Sequence, residues 1–265
     1  MFSKQASVLI PLLFLIANPA FSAESAAPVA APKACVATDS ACLLGELQNL
    51  TGQIAEKDWR DQTYRELAKL YAAQGNTTQA MAIVPMIQSD DTKALTIRGI
   101  GMAAAQLNLK PEALTKLFAD LRAAADKITA PPSQAIALTY IAMSQAHAKD
   151  DAGALATAKS MTNDALRNKA LGESAEIQAN RGDLNAALQS LATIQDLSFR
   201  NKANAKVARA FADNKQFDNA VTAANKIETN PYEKSQAVLY VLAKQITPDE
   251  ITLGIRAKQP GEVAP

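Results

Sequence analysis

The chain has 265 residues, 48% hydrophobic and only 5% aromatic, which excludes a disordered composition and points to a core of small side chains. Its 27 basic and 26 acidic residues balance, and the Lys and Arg are scattered, so charge gives no reason to expect a nucleic acid or an anionic membrane as partner.

Residues 1–22 read as a signal peptide. Lys4 supplies the positive start, Val8 to Ala17 the apolar run, and Ala20 and Ser22 the small residues before cleavage. A membrane anchor is the rival reading, but the run is short for a bilayer, and no further apolar span follows. The expected location is the periplasm of a Gram-negative bacterium. Residues 23–41 form an Ala/Pro-rich segment with little to bury, leading into the first helix. Cys35 and Cys42 are the only cysteines. In an oxidising compartment so close a pair suggests a local disulfide; a redox pair or a metal site is the alternative, though the spacing is not CxxC and no His is near.

From residue 42 to 244 the chain predicts repeated helix–turn–helix units, over about 59–90, 91–130, 131–163, 164–197 and 198–230, with partial caps at both ends. A small residue opens each second helix: Ala80, Ala113, Ala154, Ala187 and Ala220, spaced 33, 41, 33 and 33. Eight residues earlier stand Ala72, Ala105, Ala146, Ala179 and Ala212. Twelve residues earlier stand Ala68, Gly101, Ala142, Ala175 and Ala208. These columns are read as inter-repeat packing positions. A second series, Ile54, Ile87, Ile128, Met161, Ile194 and Ile227, closes the second helices, and its long interval falls between Ile87 and Ile128. The eight extra residues are therefore expected between Ala113 and Ile128, where two further turns nearly preserve a helical face. They are expected to project beyond their neighbours, with Leu117, Phe118 and Leu121 anchoring the base.

Short polar turns separate the helices, and Gly, Asn and Asp supply their conformations and caps. Pro111 suits a helix start, whereas Pro85 is expected to kink its helix. At the start of the first helices stand Trp59-Arg60, Thr92-Lys93, Ser133-Gln134, Leu166-Arg167 and Phe199-Arg200. The apolar member is expected to pack on the preceding unit, and the basic member to cap the carboxyl end of the helix before it. Residues 245–265 read as a short helical piece and a polar tail.

The unit resembles a degenerate tetratricopeptide-type repeat. Tyr64, Leu67, Ala68, Tyr71, Ala80, Val84 and Ile87 fall on that family's large and small columns, as do Leu171, Ser174, Ala175, Gln178, Ala187, Leu191 and Ile194. The period is 33 where the family has 34, the last small column is Ile or Met, and the closing Pro is mostly missing. The chain also resembles exported repeat proteins of Gram-negative bacteria, a likeness that implies no activity. The resemblance implies an all-α fold, a right-handed superhelical solenoid of antiparallel hairpins, and a surface that holds a protein or peptide partner.

No pattern of catalytic chemistry emerges. His147 is the only histidine, which excludes a His-rich metal site, and Asp150 and Asp151 beside it fit a turn. No phosphate loop and no GxSxG occurs, and no cofactor is expected. Trp59, Tyr64 and Tyr71, with Phe118 and Leu121, are the candidate partner-contact region. The leading expectation is a non-catalytic interaction module in envelope assembly, secretion or quality control. The alternatives are a cell-wall glycan hydrolase or lyase, with Glu112 or Glu173 as its acid, and a small-molecule binding protein.

Overall fold

The computed structural model describes residues 35–248. The chain divides into two units, Met1–Cys35 and Val36–Pro265; of the first, only Cys35 is described. The signal-peptide reading, most of the Ala/Pro-rich segment and most of the C-terminal piece lie outside the described residues. Cys35 and Cys42 are both disulfide-bonded.

The second unit is helical throughout its described residues. Its helices are α1 (Ser40–Gln53), α2 (Lys57–Ala73), α3 (Thr77–Ile83), α4 (Asp90–Ala105), α5 (Pro111–Ala125), α6 (Pro131–His147), α7 (Asp151–Lys159), α8 (Asp164–Asn180), α9 (Leu184–Ala192), α10 (Leu197–Asp213), α11 (Phe217–Asn225) and α12 (Pro231–Ile246). The long helices α2, α4, α6, α8, α10 and α12 pack side by side in chain order, each on the next. The helices between them form a second row, each resting on the long helix before it and the one after. The core lies between the two rows.

Four of the turns share one geometry. After α2, α6, α8 and α10 the chain passes through a left-handed residue: Gly75, Lys149, Gly182 or Lys215. Around the first of these, Gly75 N–H donates to Ala72 O and Asn76 N–H to Tyr71 O, both at 2.9 Å. The same pair of bonds recurs at the other three turns, and it satisfies the last carbonyls of the helix. The next residue is already the N-cap of the following helix, and Asn76, Asp150 and Asp183 accept a backbone N–H there. A lysine in this conformation is strained where glycine is not. Lys215→Gly is therefore expected to raise stability by about 1 kcal/mol, read as a higher urea midpoint at unchanged slope.

Each helix of the second row buries the same pattern, i, i+3, i+4 and i+7. The α9 set is Ala187, Ser190, Leu191 and Ile194; that of α11 is Ala220, Ala223, Ala224 and Ile227. In α5 the matching residues are Leu121, Ala124, Ala125 and Ile128. Leu121, not Ala113, thus stands where the other helices carry their opening alanine, and Ala113 is exposed. Within the interval from Ala113 to Ile128, the extra turns precede Leu121, at the N-terminal end of α5, and are reached by a longer turn without a left-handed residue. Leu117 and Phe118 in that extension are buried, so it packs into the core. Ala105 is half-buried at the end of α4, and Ala104 fills the interior. The remaining small-column residues are buried. At Gly101 a side-chain Cβ would come within 2.7 Å of Ser144 Oγ and 3.5 Å of Leu121 Cδ1; α4 and α6 approach closely because no side chain stands between them.

Polar fastenings join successive hairpins. Asp61, buried in α2, accepts from the N–H groups of Gln88 (3.0 Å) and Ser89 (2.8 Å) just before α4. Asn201 in α10 exchanges two bonds with the backbone of Glu228 before α12. Arg60, Arg167 and Arg200 donate to the carbonyls of Ile54, Met161 and Ile194, at 3.1–3.2 Å. The basic column thus closes the carboxyl end of the preceding helix. Gln134 reaches Ala125 O at 3.4 Å, while Lys93 turns to Asp90 instead. Of their apolar partners, Leu166 packs against the core, whereas Trp59 is 71% and Phe199 42% exposed. Pro85 does not kink a continuous helix, since α3 ends at Ile83 and the chain continues as a 3-10 turn, Val84–Met86.

Candidate functional site

Most of the residues suspected of chemistry are held in structural roles. Asp150 caps α7 and accepts from Gln145. Asp151 takes a bond from Gln178 and an ion pair from Arg181, whose other nitrogen donates to Ala146 O at 2.7 Å. Arg181 thereby ties α6, α7 and α8 together. Glu173 pairs with Lys206 at 3.1 Å, and Glu112 stands exposed in the first turn of α5. Among the described residues no three His, Cys, Asp or Glu converge on a possible metal position.

His147 is held below its ordinary pKa by desolvation and by the positive charge of Arg181. Its folded pKa is lower than its unfolded one, so protonation favours the unfolded chain. The stability it contributes is complete above about pH 6.5, its unfolded value, and declines as pH falls through the folded value. The carboxyls of Asp90 and Asp183 are also depressed: Asp90 by the Thr129 hydroxyl, the Ala130 N–H and Lys93, Asp183 by the Ala186 N–H and Arg181. Their contribution disappears at more acid pH. The urea midpoint is expected to decline in two stages between pH 7 and pH 3, and His147→Gln should remove the first.

The suspected contact residues do not form one surface. Trp59 is exposed, Tyr64 is in the core, and Tyr71 is half-buried with its hydroxyl donating to Gln48 Oε1 at 3.1 Å. Phe118 and Leu121 are 3% and 0% exposed. A different surface stands open, and its position follows from the helical repeat. Gln145 and Gln178 face the second row, where Thr157 and Ser190 donate to them. Nine positions earlier, two and a half turns away, a residue points to the opposite side. Among the described residues, no second layer covers that outward face of the long-helix row.

Its composition changes along the row. At the position of Ile136 the six long helices carry Gln62, Leu95, Ile136, Lys169, Lys202 and Ser235. One face position on, they carry Lys69, Met102, Met143, Glu176, Arg209 and Leu242. Helices α4 and α6 therefore present an apolar strip where their neighbours present charge. Beside it, between α2 and α4, lies an open groove of about 570 Å³ lined by Arg65, Glu66, Lys69, Leu95, Arg98 and Met102. Glu66 holds Arg65 and Lys69 at 2.9 and 3.0 Å. The Arg98 guanidinium lies over the Tyr140 ring, 4.4 Å from its centre, a cation–π distance. Counting aromatics by type missed this strip; comparing one helix position across the units exposes it. No protein-family model, curated protein or solved structure matches the chain.

Proposed function

We propose that the chain is a periplasmic tetratricopeptide-like repeat protein, a right-handed solenoid with a period of about 33 residues, and that it acts as a non-catalytic module holding a protein or peptide partner in envelope assembly, secretion or quality control. The observation that carries this reading is the uncovered outward face of the long-helix row, with its apolar strip on α4 and α6 flanked by charge. Such a face suits an extended ligand, because consecutive helices offer consecutive subsites. The disulfide-bonded cysteines fit an oxidising compartment, and no described helix is long and apolar enough to cross a membrane. Affinity capture of the tagged protein after crosslinking in periplasmic extract, read by mass spectrometry against an untagged control, tests the reading. A reproducible specific partner is expected; recovery of none counts against it.

A further inference from the structure

Several cations on the long helices already hold a carboxylate. Glu66 takes Arg65 and Lys69, Lys206 lies between Glu173 and Glu176, and Lys244 meets Asp213 at 2.7 Å. Arg98 differs. It is exposed, and among the described residues its side chain makes no ion pair or hydrogen bond beyond its stacking on Tyr140. A guanidinium held over a ring face keeps its edge donors free. A planar fork held in this way matches a carboxylate, which it binds through two parallel N–H···O bonds. The surroundings narrow the ligand further. The groove carries three cations against the single carboxylate of Glu66, so it attracts an anion. Leu95 and Met102 beside Arg98, and Ile136 and Met143 beyond, offer apolar contact. A ligand using both features has an acidic side chain next to aliphatic ones. A phosphate-rich polymer or a glycan would leave the apolar strip unused.

We propose that the groove between α2 and α4 binds an acidic side chain within an extended segment of a partner protein, with Arg98 as the carboxylate receptor and the strip from Leu95 to Met143 receiving the aliphatic neighbours. The proposal rests on the interaction-module reading and names the chemistry of its partner. Tyr140 is a positioning residue, acting through Arg98.

The test is fluorescence anisotropy of the purified protein with a labelled eight-residue peptide of alternating glutamate and leucine, capped at both ends. The peptide is expected to bind, more weakly as salt rises. Arg98→Gln and Arg98→Lys should each weaken it at least about tenfold, the lysine because it lacks the planar fork. Thermal melting of both variants should match the parent, since Arg98 is exposed. Replacing the glutamates by glutamine should cost as much as the receptor variants, and giving that peptide a free terminal carboxylate should not restore binding. Failure of the glutamate peptide to bind, equal binding by Arg98→Gln, or rescue by a terminal carboxylate overturns the proposal. Crosslinking of parent and Arg98→Gln in parallel separates the two readings. A specific partner kept by both overturns the groove and leaves the module standing, whereas no partner for either removes the module itself.

Discussion

Gly101→Leu is expected to destabilise the protein by about 3 kcal/mol, enough to lower the urea midpoint sharply. The position lies where α4 crosses α6. A Cβ there already falls within 2.7 Å of Ser144 Oγ and 3.1 Å of Ser144 Cβ, closer than packed atoms tolerate. Ser144 is buried and donates to Tyr140 O at 2.8 Å, so it has little room to turn away. The three further carbons of leucine must enter a space bounded by Leu121, which is fully buried. Separating α4 from α6 is the remaining accommodation, and it opens the core between the rows. Gly101→Ala separates the contributions. Alanine gains about 1 kcal/mol of helix propensity and meets the same first clash, so its net change should be far smaller than that of leucine.

Phe118→Ala is expected to cost about 3–5 kcal/mol, seen as a large fall in the midpoint of a single cooperative transition. Phe118 belongs to the additional turns of α5, where the sequence reads it, with Leu117 and Leu121, as an anchor of the base. Its side chain is buried, and α5 packs on α3, α4 and α6. Truncation removes a large apolar side chain and leaves a cavity that the flanking helices cannot fill without moving. A decorative extension would instead tolerate the change within about 0.5 kcal/mol. Exposed Ala119, one residue on, supplies the comparison: Ala119→Ser should leave the midpoint nearly unchanged.

These residues show which parts of the architecture were legible. The succession of helix–turn–helix hairpins could be read from the columns of alanine, because helices this close need small side chains where they cross. The carbonyl-capping role of Arg60, Arg167 and Arg200 could be read because each stands at a helix start just past a helix end. The register of α5 was obscured by Ala113, which copies the spacing rule while facing solvent. The closing residue was the better guide, since counting back seven from Ile128 gives Leu121, as counting back seven from Ile87 gives Ala80. The left-handed lysines were illegible, because lysine carries no signal for that conformation and the bonds around Lys149 and Lys215 impose it. Trp59 attracted attention by its type, yet its neighbourhood is set by a helix end. Leu95, Arg98, Met102 and Tyr140 drew none, being ordinary residues whose meaning lies in their alignment across the units.

Site-specific photocrosslinking tests the central claim, that the uncovered long-helix face carries the partner, most directly. A benzophenone amino acid is placed singly at Leu95, Met102 or Ser235 on that face, and at exposed Ala82 or Gln189 on the second row. The account predicts that one partner species is captured from Leu95 and Met102, where the apolar strip lies, and none from Ala82 or Gln189. Capture from the second row with silence at Leu95 and Met102 would contradict it.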